Sequence, residues 1–169
     1  MLAPAQRDER VLTETLLEDD RWAPCDLSAL AERAAQATLA HFDMSPEGVE
    51  IAVLGCDDAR IAELNRAFRG KPSPTNVLSW PSEDLAPAHA GARPEAPCDP
   101  ELGDIAISYD TCLREARKNG KVLNDHVTHL VVHGILHLLG YDHIRDPDAT
   151  LMEETERQIL GTLGIDDPY

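Results

Sequence analysis

The sequence predicts a mixed fold of α/β or α+β class: a small, mostly parallel sheet with helices packed on it and one antiparallel edge strand. Three observations point there. Segments that alternate like strands interleave with segments of helical period along the 169 residues. Pro81 stops one short apolar run, and a proline near a strand end favours a sheet edge. A histidine-bearing stretch, residues 126–143, is apolar on nearly every other helical face, so it must be buried.

The elements follow in order. Residues 9–17 read as a first strand. Pro24 and Asp26 announce a helix from about Leu27 to Phe42, with Asp26 as N-cap and Leu27, Leu30, Ala34, Ala37 and Leu39 as its apolar face. Pro46 and Gly48 make a turn, and Val49–Leu54 alternates like a half-buried strand. Asp57 caps a helix from Asp58 to Phe68 that buries Ile61, Leu64 and Phe68 and ends at Gly70. A rigid loop, GKPSPT, leads to a short strand, Asn76–Trp80. Residues 82–102 are rich in alanine, proline and glycine and lack any period. They read as a mobile surface loop of lid type, with His89 a solvated loop residue. Gly103–Tyr109 is a strand with Ile105 and Ile107 on one face, and Asp110 caps a helix that stops at Asn119-Gly120. The histidine helix comes next. Asp146 as N-cap and Pro147 at the first helical position then open a last helix to about Leu160, turning Leu151, Met152, Thr155, Ile159 and Leu160 to the core.

Length and composition bound the function. The chain has the length of one domain, or of one domain with a loop insertion near 82–102. No apolar run suffices for a membrane span, and MLAPAQRDER lacks the apolar segment of a secretory signal. Cys25, Cys56, Cys98 and Cys112 are scattered, which fits reduced thiols in a cytoplasm. A net charge of −16 argues against general nucleic-acid binding. Two local basic islands soften that objection: Arg60, Arg66, Arg69 and Lys71, and Arg114, Arg117, Lys118 and Lys121.

Five of the seven histidines fall within HVTHLVVHGILHLLGYDH. On a helix, His126, His129, His133 and His137 occupy a sector of roughly 80°. His133 and His137, four apart, can offer two imidazoles to one ion. Gly140 can end the helix, so that the turn brings His143 back as a third ligand. Three histidines leave a coordination position for water, the arrangement of a catalytic zinc site. The pattern resembles H-E-x-x-H-x-x-G-x-x-H of the metzincin proteases, but Gly134 stands where their general-base glutamate would be.

The chain also resembles the YbeY family of bacterial metal-dependent endoribonucleases. Three blocks carry the resemblance: LNRAFRGKPSPTNVLSWP at 64–81, LGDIAIS at 102–108 and HLVVHGILHLLGYDH at 129–143. It implies a zincin-like α+β fold, zinc held by His133, His137 and His143, and an RNA substrate near the 3′ end of small-subunit rRNA, with a role in ribosome quality control. The family's arginine matches Arg69, whose planar guanidinium suits a phosphodiester and growing charge at phosphorus. Where the family usually has T-D-V-L-S-F-P, this chain has Asn76 for the aspartate and Trp80 for the phenylalanine. Ser79 and Asn76 are candidates for the substrate cleft. Asp104 and His129 are candidates to orient an imidazole from behind. Asp142, with Tyr141, positions His143. The competing readings are a zinc metalloprotease-like hydrolase, which Gly134 disfavours, and a non-enzymatic ribosome-associated factor with structural zinc.

Overall fold

A computed structural model describes residues 12–169. Residues 9–11 of the expected 9–17 strand lie outside the described residues, and β1 is Thr13–Leu17. A single 3₁₀ turn, Asp20–Trp22, then drops Trp22 into the core. Its indole N–H donates to the Cys56 carbonyl at 3.1 Å. Helix α1 is Leu27–His41, and Asp26 accepts a bond from the Ala29 amide. Strand β2 is Glu50–Cys56. Helix α2 is Asp58–Arg69, capped by Asp57 and closed by Gly70 at φ +70°. Strands β3 (Val77–Pro81) and β4 (Glu101–Ser108) follow. Helices α3 (Tyr109–Lys118), α4 (Leu123–Leu138) and α5 (Asp146–Thr162) complete the order.

The sheet order is β1-β2-β4-β3. β1, β2 and β4 run parallel, and β3 pairs antiparallel with β4 as an edge strand, the position Pro81 suggests. Strand alternation splits the apolar residues between two layers. Ile51, Val53, Ile105 and Ile107 join α1, α4 and α5 in the main core. Cys56, Leu78 and Ala106 form a smaller cluster with Ile61 of α2 on the other face. Helix α4 lies at the centre of the main core. Val127, Val131, Val132, Ile135 and Leu136 are fully buried, each worth about 1.5–3 kcal/mol of transfer free energy. Among the described residues no helix is long and apolar enough to cross a membrane.

Several sequence expectations need correction. Phe68 is not buried: its relative exposure is 63%. Phe68 lies in the last turn of α2, where its ring meets Trp80 of the edge strand. Asp110 does not cap its own helix. Ser108 is the N-cap there, while Asp110 accepts the Asp58 amide at 3.0 Å and so serves the first turn of α2. Asp146 likewise lies inside the first turn of α5, with Arg145 at the cap position. An acid at either place favours the positive end of a helix dipole, which is why the sequence cannot separate them. The segment expected as loop over 82–102 yields Glu101 and Leu102 to β4. Hydrogen bonds also join the rest of the segment to itself and to its neighbours. Glu83 accepts the Cys98 and Asp99 amides, Arg145 donates to the Pro87 and Ala88 carbonyls, and Asp148 accepts the Gly91 amide at 2.8 Å.

Candidate metal centre

Helix α4 carries His133 and His137 on one face, one turn apart. Gly140 then takes φ +101°. A Cβ there would come within 2.7 Å of the Leu85 carbonyl oxygen, so both conformation and space require glycine. The reversed chain buries Tyr141 against Phe42, ring on ring at 5.6 Å. Asp142 then accepts the His143 amide at 2.7 Å, which fixes the exit of the turn. His143 faces the two helical imidazoles, with ring centroids 5.3 Å from His133 and 5.2 Å from His137. One nitrogen from each of the three lies within 4.8 Å of the others. Among the described residues no fourth His, Cys, Asp or Glu donor joins this trio.

The hydrogen bonds select the tautomers. His137 Nδ1 lies 2.9 Å from the Tyr141 carbonyl, which can only accept, so the proton is on Nδ1. His133 Nδ1 donates to the Glu156 carboxylate in the same way. Both Nε2 atoms are therefore lone-pair acceptors, yet they face each other at 3.0 Å. Two lone pairs at that distance repel unless a cation stands between them and the third imidazole. The donor set thus fits a metal ion. Burial, and then the neighbouring His133 and His143, hold the His137 pKa down at about 4, so its imidazole is neutral at physiological pH.

Glu156 is the group that the sequence reading missed. It sits on α5 and is completely buried. Besides His133 it lies 3.5 Å from His129 Nε2 and accepts from the Tyr169 hydroxyl. Burial raises its pKa, but the bonds to His129, His133 and Tyr169 outweigh that and hold it at about 2. A carboxylate behind a ligand imidazole fixes the ring and increases its basicity. His129, His133 and Glu156 also form a second set of converging donors. It shares His133 through Nδ1, the atom bonded to Glu156, and leaves Nε2 to the first set. Glu156→Gln keeps the shape and removes the charge. We expect it to weaken metal binding about 10- to 100-fold. Competition with a chromophoric chelator measures this, and an unchanged affinity would show that the charge is irrelevant to the ligand.

The position of the protease glutamate is tightly packed. A Cβ on Gly134 would meet Ile105 at 3.1 Å and the Ser79 hydroxyl at 3.2 Å. The helix backbone lies directly on β3 and β4 there, and Ser79 Oγ donates to the Gly134 carbonyl at 3.2 Å. Ser79 thus ties the edge strand to the ligand helix. Beyond it opens a cleft of about 620 Å³. His137 and His143, Arg69, Lys71 and Ser79, and the 83–86 segment all line it. Among the described residues no carboxylate lies within ion-pair distance of Arg69 (the ion pairs involve Arg21, Arg60, Arg114, Arg145 and Arg157).

The remaining candidates are dispersed. Asp104 is exposed and lines a different depression with Glu14 and Ala52, on the sheet face away from Ile105 and α4; it does not orient an imidazole. Asn76 donates to Glu115, 3.2 Å away, whose carboxylate also meets His126 Nε2 at 2.9 Å. An aspartate at 76 would face Glu115 with like charge, so the asparagine suits this neighbourhood. Asn76 serves α3 and α4 here, not the cleft. Asp142 meets the site at the His143 amide, and His129 lies beside Glu156.

Comparison with known proteins places this geometry. A family model described as Endoribonuclease YbeY matches residues 17–164. Proteins named Endoribonuclease YbeY share 64% identity in Ruegeria pomeroyi, over 90% of this chain and 94% of that protein, and 60% in Cereibacter sphaeroides, over 94% and 98%. One from Paracoccus denitrificans is 57% identical over 99% and 95%. A Thermotoga maritima protein solved in solution superposes with a TM-score of 0.55 at 22% identity, covering 90% of this chain and 92% of its own, a likeness of fold. With a helix and its turn bringing three histidines together, and relatives of this similarity along nearly its whole length, the chain belongs to the YbeY family.

Proposed function

We propose that the protein is a zinc-dependent endoribonuclease of the cytoplasm that cleaves phosphodiester bonds in single-stranded RNA, acting on the 3′ end of small-subunit rRNA and on defective ribosomes. The observation that carries this reading is Arg69, without an ion-pair partner among the described residues, lining the same cleft as His137 and His143, two of the three converging imidazoles. His133, His137 and His143 would hold the ion through nitrogen atoms, and its chemistry is Lewis acidity toward a phosphoryl oxygen and a lowered pKa for bound water. The chain's own groups do the rest. Arg69 binds the phosphate and offsets charge developing on it. Glu156 and the Tyr141 carbonyl keep the two helical imidazoles oriented with their lone pairs forward. Ser79 holds the cleft wall in register with the ligand helix.

A protease reading lacks a base, since glycine stands at position 134 where a protease would have its glutamate. A structural-zinc reading needs a fourth protein ligand, which the described residues do not supply to this trio. Metal-loaded protein incubated with single-stranded RNA and with casein should cut the RNA and leave the casein intact. Casein cleavage, or neither activity, would contradict the proposal.

A further inference from the structure

We propose that Phe68 and Trp80 form a subsite on which a nucleobase of the RNA strand stacks, next to the phosphate held by Arg69. The inference rests on the nuclease reading above and adds the part of the substrate beyond the scissile phosphate. The chain has only two phenylalanines and two tryptophans. Trp22 is fully buried, and Phe42 is stacked on Tyr141. Phe68, by contrast, is 63% exposed. It meets the half-buried Trp80 edge to face, with centroids 5.1 Å apart at 67°. Leaving a ring this open beside a second aromatic forgoes burial that either could have gained.

Charge identifies the occupant. Arg66, Arg69 and Lys71 flank Phe68 in sequence, all exposed. Among the described residues none of the three is in an ion pair, whereas Arg21, Arg60, Arg114, Arg145 and Arg157 all are. In a chain of net charge −16, free cations gathered at an exposed aromatic favour a polyanion bearing rings. The strand geometry separates the two halves of a nucleotide. Ser79 faces α4 and the cleft, so its neighbour Trp80 points to the opposite face of β3. Arg69 borders the cleft, while the adjacent Phe68 contacts Trp80. An RNA strand crossing the β3 edge would present a phosphate to Arg69 and a base to Phe68. Stacking accepts any base, so the subsite adds affinity for single strands and little sequence preference.

The test compares wild type with Phe68→Leu, which keeps an apolar cover on Trp80, and with Phe68→Tyr, which keeps the ring. The probes are a single-stranded RNA for cleavage kinetics and a labelled single-stranded DNA, with an abasic version of the same backbone, for binding to the metal-loaded protein. Phe68→Leu should raise the RNA KM about 10-fold or more, by more than it lowers kcat, with melting temperature and metal content unchanged. Phe68→Tyr should restore the wild-type KM. Wild type should prefer the base-bearing strand to the abasic one, with Trp80 fluorescence quenched on binding; Phe68→Leu should lose the preference. A wild-type KM in Phe68→Leu, or equal binding of both strands by wild type, would overturn the subsite while RNA cleavage still stands. Absence of RNA cleavage by the wild type would instead overturn the nuclease reading itself.

Discussion

Replacing His143 by alanine should leave a folded protein that has lost its metal and its ribonuclease activity. His143 is exposed and stands outside the helices, so its removal creates no core cavity. What it removes is one of three converging nitrogens. Loss of a group behind a ligand already costs about 10- to 100-fold in affinity, and loss of the ligand itself costs more. His137→Ala should behave alike, with an added small loss of stability from the bond to the Tyr141 carbonyl. Calorimetry gives a second readout. Zinc at 100 times its dissociation constant stabilises a protein by about 2.7 kcal/mol. The wild-type melting temperature should therefore rise on adding zinc, and that of His143→Ala should not. A variant that keeps stoichiometric zinc would remove this residue from the site.

Arg69→Ala should keep both fold and zinc while RNA cleavage falls by about 10²- to 10³-fold, the usual loss for one stabiliser of transition-state charge. The side chain is exposed at the last turn of α2, so nothing in the core depends on it. It borders the cleft that His137 and His143 also line, and no acid neutralises it among the described residues. Lysine should restore activity only in part, because an ammonium cannot take two phosphate oxygens in the forked geometry. The measurement is steady-state cleavage beside zinc content and a thermal melt. Full activity in the alanine variant would reduce this basic segment to a solvated helix end.

The legible part of the molecule was the part governed by local periodicity. His133 and His137 at one helical turn, with Gly140 and His143 after them, specify a helix, a reversal and a third donor within eleven residues of chain. Pro81 marked the edge strand for an equally local reason. What escaped depends on elements that meet only after folding. Glu156 reaches His133 across 23 positions of sequence. Its one local signal was its place on the apolar stripe of α5, a turn after Met152 and a turn before Leu160, where a carboxylate must have a partner. Phe68 continued the stripe of Ile61 and Leu64, but period cannot show that the underlying sheet ends there. Asp104 was misplaced even though Ile105 and Ile107 had been put on one face. Once α4 packs on that face, alternation sends Asp104 to the other.

The most direct test of the account is RNA cleavage by metal-stripped protein as zinc is returned in fractions of an equivalent. The account predicts no cleavage at zero zinc, a linear rise to a plateau at one zinc per chain, and no activity at any ratio for His143→Ala. Cleavage by the stripped protein, or a plateau that His143→Ala also reaches, would contradict it.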